Sequence, residues 1–305
     1  MAVDYKKITL SDGPVEIEID GQKIPVAYKA GGMNSLIVLF HGALNRKTRP
    51  FPFFQPFLPI NAHQIAIADV TLAEHDDLSV GWYIGSENSG LPEKIKMLID
   101  GLVKHLGASR RVYVGGSSGG FAALHFSFLD AGSIAVAANP QTDLLAYGSA
   151  SAEAFREKCW PSAKSLHELA DIAPINMCKF YSKGFRNRVI YVQSAGDYGH
   201  VQSQLTPFMA AIDANHRRSV LFDVGFWDIL GHSGSAPPRA WIPWVRTALT
   251  APTFQADALL KTHYALTEQN IARAQARPSQ KQDTAKPDAR DLQRAKQLRD
   301  SMLNS

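Results

Sequence analysis

Hydrophobic and charged residues alternate near the start of the chain. Residues 15–19 read Val-Glu-Ile-Glu-Ile, Asp20-Gly21 is a turn signal, and residues 24–28 form a second, largely apolar segment. Alternation with a period of two places every second side chain on the same face of a strand. The pattern therefore predicts a β-hairpin with its turn at Asp20-Gly21.

Later apolar runs show no alternation, which is typical of strands buried on both faces of a parallel sheet. Helical patterns lie between and after them. The clearest covers residues 92–106, where Pro92 suits the first turn and Gly107 suits the C-cap. Strands that alternate with helices predict the α/β class, with a mostly parallel central sheet and helices on both faces. The predicted strands contain residues 36–40, 65–68, 112–114, 134–138, 189–192 and 220–222.

The interval before the strand at 189–192 is long for a crossover connection. Residues 141–183 contain two or three short helical patterns, broken at Pro161 and Pro174. Ordered insertions of this length between strands are usually functional. We therefore interpret residues 141–183 as a helical cap insertion in an α/β domain that covers residues 1–250.

The end of the chain differs in composition. We expect residues 251–305 to form a charged C-terminal tail that is helical or disordered. From Ala265 onward there is no aromatic residue, and eight Lys/Arg stand against five Asp/Glu, so this stretch carries three of the four net positive charges. The remaining chain is close to neutral and has no basic stripe, which argues against a nucleic-acid partner.

The location of the protein is predicted from its cysteines and its apolar runs. The two cysteines, Cys159 and Cys178, are too few for a disulfide framework. No apolar run approaches the roughly 18 residues that cross a bilayer, and the first residues lack the pattern of a signal peptide. We expect a cytoplasmic protein without a membrane span.

The stretch Val112-Tyr-Val-Gly-Gly-Ser-Ser-Gly-Gly120 is the most informative one in the sequence. A buried strand runs into a glycine-rich turn and a helix follows at once, which is the context of a G-x-S-x-G nucleophile elbow. Ser117 and Ser118 both satisfy this spacing. We prefer Ser117, because one glycine and one further residue then separate it from the strand end at Val114. A phosphate-binding loop is the alternative, but the G-K-[ST] ending is absent and the glycines do not fit G-x-G-x-x-G.

A second glycine turn, His41-Gly42-Ala43, follows the strand at residues 36–40. Acyl transfer needs backbone N–H groups aimed at the oxygen that becomes negative in the tetrahedral intermediate. We predict that the amides of Ala43 and Ser118 form this oxyanion hole. His41 itself is expected to hold the loop; a role as catalytic base is the less favoured alternative.

The base and the acid of such a site should follow the nucleophile in the order Ser, Asp, His. We predict Asp197 as the acid, since it ends a strand and a short loop, and His232 as the base, since it lies in a later Gly/Ser loop. His200 is the competing base, although contact with substrate or a structural role is favoured for it. Asp143 is the competing acid.

Aromatic residues at Gly81-Trp82-Tyr83 suggest a substrate pocket, because aromatic faces bind both acyl groups and sugars. Packing of Trp82 and Tyr83 in the core is an equally good interpretation. The histidines outside the predicted site have no partner at metal-ligand spacing. We expect neither a metal nor a cofactor.

With these elements in order, residues 15–250 resemble the α/β-hydrolase superfamily. Three further stretches resemble bacterial hydrolase-like proteins tied to surface-polysaccharide synthesis and glycan O-acetylation. They are Gly81-Trp-Tyr83, Asn139-Pro-Gln-Thr-Asp143 and Asp197-Tyr-Gly-His200, together with the elbow itself. This resemblance implies a carbohydrate ester as substrate or product.

The leading hypothesis is a serine esterase that cleaves a carboxylic ester through an acyl-enzyme on Ser117. An O-acyltransferase that acts on a glycan is a close alternative. A third is a non-catalytic hydrolase-like module in polysaccharide assembly, with the tail as its docking arm. The expected partner is a small-molecule or carbohydrate ester, and the oligomeric state remains open.

Overall fold

The predicted hairpin is the first element of the fold. In a computed structural model of the chain, the described residues are 10–147, 150–227, 230–232 and 235–276, with side chains described as far as Gln269. Strand β1 (Gly13–Ile19) pairs antiparallel with β2 (Gln22–Lys29). Asp20 and Gly21 both have positive φ, 44° and 75°, as the tight turn of a two-residue hairpin requires.

The hairpin is followed along the chain by the strands β3 (Met33–Phe40), β4 (Ala62–Ile67), β5 (Arg110–Gly116), β6 (Ile134–Ala138), β7 (Arg188–Ser194) and β8 (Val220–Gly225). Together they form an eight-stranded sheet of order β1-β2-β4-β3-β5-β6-β7-β8. Strand β2 runs antiparallel to β4, and the strands from β3 to β8 are all parallel. This confirms the predicted fold class.

Alternate side chains of each buried strand point to opposite faces of the sheet, so both faces are apolar and need to be covered. Helices cover both of them. Tyr113 packs with the helices Leu91–Leu106 and Ser118–Phe128 on one face, whereas its neighbours Val112 and Val114 pack with the helix Pro238–Thr250 on the other. The helices are α1 (Leu91–Leu106), α2 (Ser118–Phe128), α3 (Leu144–Tyr147), α4 (Ala150–Cys159), α5 (Leu166–Ile172), α6 (Met177–Tyr181), α7 (Tyr198–His200), α8 (Thr206–Ala211), α9 (Pro238–Thr250) and α10 (Ala256–Ala276).

The insertion at residues 141–183 contains four short helices, α3 to α6. Their apolar residues, such as Phe155 and Leu169, pack with Ala135, Ala137 and Tyr191 of β6 and β7. Helices α3 to α6 therefore lie in the same layer as α1 and α2 and extend it over β6 and β7.

The chain divides into two units after Leu266. In the first unit, the opening turns of α10 pack against α9: Leu259 is buried, and the His263 ring lies parallel to the Trp244 indole at 3.6 Å. The second unit begins at Thr267 within α10. Much of the predicted tail, residues 277–305, lies outside the described residues, and the boundary at residue 250 stays a prediction.

Among the described helices, none has both the length and the apolar character that a membrane span requires.

Candidate active site

Ser117 lies at the turn between β5 and α2. Its φ of 55° and ψ of −119° are rare for a residue with a side chain, and such strain is found mainly at functional sites. Ser118 is the first residue of α2 and is buried. The two serines that the sequence pattern left open are thus distinguished: Ser117 occupies the strained position at the turn, and Ser118 belongs to the helix.

Glycines allow the strand and the helix to approach closely at this turn. A Cβ atom added to Gly115 would lie 2.1 Å from the Gly119 carbonyl oxygen. One added to Gly119 would lie 2.5 Å from the carbonyl oxygen of Phe40, the last residue of β3. Real Cβ contacts are never this short, so the elbow can form only with glycine at both positions.

The loops after β7 and β8 bring a carboxylate and an imidazole to Ser117. The Ser117 hydroxyl lies 3.3 Å from Nε2 of His232, and Nδ1 of His232 lies 2.8 Å from Oδ2 of Asp197. The Asp197 side chain is 3% exposed, whereas that of His232 is 47% exposed. The structure therefore joins the three predicted residues in one hydrogen-bonded chain that runs from a buried charge to an accessible imidazole.

Two histidines keep Asp197 ionised. Burial by itself would raise the pKa of the Asp197 carboxyl, but the nearby imidazoles of His200 and His232 and the hydrogen bond from Asn139 outweigh burial and hold this pKa well below its usual range. The Asp197 carboxylate is thus charged at neutral pH.

Asn139 ties the loops of the site together, a role that the sequence pattern did not reveal. Its Nδ2 donates to Asp197 Oδ2 over 2.9 Å, and its Oδ1 accepts from the backbone amides of Ser194 at 3.1 Å and Ala236 at 2.8 Å. The side chain therefore links the ends of β6 and β7 to the loop that follows His232. Asn139 has a φ of 42°, a conformation that asparagine tolerates better than most residues.

His200 also lies at the carboxylate. Its Nδ1 is 3.2 Å from Asp197 Oδ2, and its ring is parallel to that of His232, with centroids 4.2 Å apart and planes 9° apart. The spacing of three residues explains this position, since Asp197 caps the short helix α7 that ends at His200. The structure thus places His200, the competing base in the sequence analysis, within 3.2 Å of the carboxylate that His232 contacts.

Within the described chain, Asp197, His200 and His232 form a group whose possible metal-ligating atoms lie within 4.8 Å of one another. A shared ion needs lone pairs that converge on one point. Here the two imidazole planes are parallel, and both Nδ1 atoms face the carboxylate. The arrangement suits hydrogen bonding to Asp197 better than the sharing of an ion.

The loop after β3, the predicted oxyanion loop, lies against the elbow. A Cβ atom added to Gly42 would lie 3.2 Å from the Gly116 carbonyl oxygen and 3.8 Å from Ser117 Cβ. Ala43 lines the same cleft as Ser117. Ser118 begins α2, and the first amides of a helix have no partner within it. Ala43 thus lines the cleft that contains Ser117, and Ser118 directly follows Ser117 in the chain.

His41 holds this loop in place. Its Nδ1 lies 2.8 Å from the Gly42 carbonyl oxygen, and its Nε2 accepts from the Asp69 amide at 3.2 Å. Burial lowers the pKa of His41, which favours the neutral ring that this bonding pattern needs. Both ring nitrogens are engaged with backbone groups, so His41 has the geometry of a structural residue.

The cleft at Ser117 has a volume of about 410 Å³. Its walls come from the elbow, from the loop at Gly42 and Ala43, and from residues beyond β8. None of the described residues from 141 to 183 lines it. The other lining side chains include Gln55, His232, Ser235 and Trp241.

Trp82 and Tyr83 lie in the core. Both are almost fully buried; the Trp82 indole donates to the Gln141 side-chain oxygen, and the Tyr83 hydroxyl accepts from the His41 amide. Neither lines the cleft, so the geometry matches the core-packing interpretation. Asp143 is also elsewhere, with its carboxylate accepting from the Leu145 amide at 2.9 Å.

No protein-family model and no curated protein sequence matches the chain, but many solved structures share its fold. A capsule O-acetyltransferase of Neisseria meningitidis serogroup A is 16% identical, with a TM-score of 0.55 over 82% of this chain and 99% of the other. An acetyl xylan esterase from Paenibacillus sp. R4 is 14% identical, with a TM-score of 0.51 over 77% and 82%.

An acylaminoacyl peptidase of Pyrococcus horikoshii is 13% identical, with a TM-score of 0.51 over 88% of this chain and 42% of the other. The fold is thus α/β-hydrolase-like, as the sequence predicted. The structures that share it include acyl-transferring and hydrolysing enzymes.

Proposed function

We propose that the protein is a serine enzyme of acyl transfer that forms an acyl-enzyme on Ser117. The observation that carries this proposal is the hydrogen-bonded chain from Ser117 through His232 to the buried Asp197. A serine hydroxyl is a weak nucleophile until a neighbouring base takes its proton. The strained turn holds that hydroxyl in the cleft beside such a base.

The first half-reaction makes the acyl-enzyme. Ser117 Oγ attacks the ester carbonyl carbon while Nε2 of His232 takes the hydroxyl proton. Asp197 stabilises the resulting imidazolium and fixes its orientation. The tetrahedral intermediate then collapses, the carbon–oxygen bond to the alcohol breaks, and His232 returns the proton to the leaving alcohol.

The carbonyl oxygen becomes negative in the intermediate and needs donors that are already in place. In this proposal the amides of Ala43 and Ser118 supply them. Donors of this kind contribute strongly because they need no reorganisation at the moment of reaction. The close contact between Gly42 and the elbow supports this assignment, since Ala43 follows Gly42 in this loop and lines the same cleft as Ser117.

The second half-reaction transfers the acyl group to an acceptor. Water gives hydrolysis, and a sugar hydroxyl gives an O-acylated glycan; His232 removes the acceptor proton in both cases. We propose a short ester of a carbohydrate as the substrate. The support is the modest cleft and the fold shared with a capsule O-acetyltransferase and an acetyl xylan esterase.

A fluorophosphonate probe, which labels activated serines, tests the nucleophile. We expect labelling of the wild type and of Ser118→Ala, and none of Ser117→Ala. Ser118→Ala is a matched control because its hydroxyl is buried, with no hydrogen-bond partner among the described residues. Failure of the folded wild type to label, or labelling of Ser117→Ala, would refute the proposal and favour a non-catalytic module.

p-Nitrophenyl acetate then separates the two acceptors. We expect a burst of p-nitrophenol equal to the enzyme concentration, followed by slower turnover. With an oligosaccharide added, hydrolysis releases one acetate per p-nitrophenol. Transfer releases less acetate and gives an acetylated sugar that mass spectrometry detects.

A further inference from the structure

A second cavity, larger than the cleft at Ser117, lies in the helical layer formed by α1, α2, α5 and α6. Its volume is about 720 Å³. Among the described residues, none lines both this cavity and the cleft. His125, in the second half of α2, lies on the cavity wall, about 10 Å from Ser118 along the helix axis. The mechanism proposed above uses no residue that lines this cavity.

The imidazole of His125 is buried without a hydrogen bond that would justify its position. The residue is 3% exposed, and no described residue bonds to its Nδ1 atom. Burial lowers the pKa of His125 to about 4, so the ring is neutral at neutral pH. A buried polar group without a partner destabilises the fold. Packing alone therefore does not account for a histidine at this position.

The rest of the cavity wall is mainly apolar and partly aromatic. The centroid of the Phe180 ring lies 5.9 Å from that of His125. Leu129 and Ile172 also line the cavity, although they are 41% and 56% exposed to water. An apolar wall with a few polar groups is typical of a small-molecule site, and aromatic rings pack well against one another. This wall favours a flat, apolar ligand.

The charged side chains at the cavity balance one another. Three lysines and two acids line it: Lys96, Lys179, Lys183, Glu93 and Asp171. A third acid, Asp100, pairs with Lys96 at 2.6 Å. Positive and negative charges are therefore equal in number, so no net field selects a charged ligand. Among uncharged groups, a hydroxyl suits a neutral imidazole best, because both can donate one hydrogen bond and accept another.

We propose that this cavity binds an uncharged aromatic alcohol, whose ring packs on the apolar wall and whose hydroxyl forms a hydrogen bond with His125. The ligand supplies the bond that the protein does not give to this imidazole. It also covers the exposed surface of Leu129 and Ile172. Binding is non-covalent and does not depend on the chemistry at Ser117.

Calorimetric titration of the full-length protein with 1-naphthol at pH 7 tests the ligand class. We expect one saturable site with a Kd below about 1 mM. 1-Naphthoate should bind at least about fivefold more weakly, because a carboxylate beside a buried neutral ring loses its hydration. His125→Phe keeps an aromatic ring but removes the hydrogen bond, so it should weaken the binding of 1-naphthol about 3–10-fold.

The stability of His125→Phe provides a second measurement. Because the lost ring nitrogen has no partner in the protein, the free variant should be at least as stable as the wild type in urea. The same excess of 1-naphthol should raise the unfolding temperature of the wild type more than that of His125→Phe.

A matched pair of substitutions tests the location of the site. Ile172→Asp places a charge on the cavity wall and should weaken the binding of 1-naphthol at least about fivefold. Met209→Asp is the control, since Met209 of α8 is 48% exposed and does not line the cavity. This variant should bind 1-naphthol as the wild type does.

Four results would each overturn the proposal. They are the absence of saturable binding to the folded wild type, wild-type affinity in His125→Phe, wild-type affinity in Ile172→Asp, and binding of 1-naphthoate as tight as that of 1-naphthol. If His125→Phe does not fold, the comparison of Ile172→Asp with Met209→Asp still decides. The titrations need no turnover, so their outcome is separate from that of the fluorophosphonate experiment.

Discussion

At the scale of single residues, the candidate site depends on one buried charge. Asp197 is nearly inaccessible to water, and the side chains of His232 and Asn139 and the backbone amide of His200 donate to its carboxylate. A buried carboxylate is costly unless it is fully hydrogen-bonded, so the partners of Asp197 stabilise the fold as well as orient the base. Substitutions here should therefore alter both stability and activity, and the two effects have different pH dependences.

Asp197→Asn tests the effect of the charge on stability. The folded-state pKa of Asp197 is depressed, so the ionised carboxylate stabilises the fold above the unfolded-state pKa of about 3.9. This contribution is lost as the pH falls towards the folded-state pKa. We expect the wild type to exceed Asp197→Asn in free energy of unfolding above about pH 5, and the difference to shrink between about pH 5 and pH 3. Urea unfolding across this range measures it.

The matched control is Asp213→Asn, which removes a carboxylate that also pairs with a histidine but is accessible to water. Solvent screening should make its effect on stability much smaller than that of Asp197→Asn. A gap for Asp197→Asn that stays constant from pH 7 to pH 3 would contradict the assigned direction of the pKa shift.

Asn139→Ala should lower both activity and stability. It removes the donor to Asp197 and leaves the amides of Ser194 and Ala236 without their acceptor. We expect a loss of about 2–4 kcal/mol in the free energy of unfolding and a loss of about 10–100-fold in kcat/KM, because Asp197 and the loop after His232 become less well positioned.

Asn187→Ala is the control for that loss of stability. Asn187 is buried too, and its Nδ2 donates to Ser127 and Tyr181, which do not line the cleft. This variant should be destabilised, yet its kcat/KM should stay within about threefold of the wild type at a temperature where it is folded. Equal losses of activity in the two variants would show that Asn139 has no special connection to the site.

At the scale of elements, the position of the proposed nucleophile follows from how closely β3, β5 and α2 pack. A Cβ atom added at Gly115 or at Gly119 would collide with backbone atoms. Backbone atoms cannot rotate out of the way as a flexible side chain can. The elbow is thus a rigid junction, and the strain at Ser117 is maintained by the packing of the elements around it.

Two neighbouring glycines provide the test. An added Cβ atom would lie 2.1 Å from the nearest backbone atom at Gly115, but 3.6 Å at Gly116. We expect Gly115→Ala to lose about 3 kcal/mol or more in the free energy of unfolding, or not to fold. Gly116→Ala should stay within about 1 kcal/mol of the wild type. Soluble yield and urea midpoints measure both, and equal stability of the two variants would argue against the close approach at Gly115.

The parts of this site that could be predicted from sequence are those set by local patterns. The strand, glycine turn and helix around Ser117 are contiguous, and the hairpin turn at Asp20-Gly21 has its own signature. The bond from Asn139 to Asp197 and the stacking of His200 on His232 join loops that the order of strands in the sheet brings together, and no local pattern encodes such contacts. Similarly, aromatic residues at Trp82 and Tyr83 favour a pocket and a core equally until the packing around them is known.

At the scale of the whole molecule, the face of the sheet opposite α1 and α2 depends on the C-terminal helices. Val245 and Ala248 of α9 are fully buried against the strands, and the first turns of α10 pack onto α9 through Leu259 and His263. Residues beyond 250 thus contribute to the core, although the composition of the chain end suggested a separate tail.

Truncation tests this contribution. A chain that ends after Leu266 keeps the first unit whole, so we expect its unfolding temperature and its activity to match those of the full chain. A chain that ends after Ala251 loses the buried Leu259 and the contact of Phe254 with the Arg110 guanidinium. Loss of one buried leucine costs about 2–5 kcal/mol, and each kcal/mol lowers the unfolding temperature by about 2–4 °C in a domain of this size.

We therefore expect the shorter chain to unfold at least about 5 °C below the longer one in calorimetry. Leu259→Ala in the full chain should reproduce most of this decrease, since that side chain makes the buried contact. If both truncated chains unfolded at the same temperature as the full chain, α10 would contribute nothing to the core. If the chain ending after Leu266 were destabilised as well, residues beyond 266 would support the first unit, and the division of the chain at that point would be wrong.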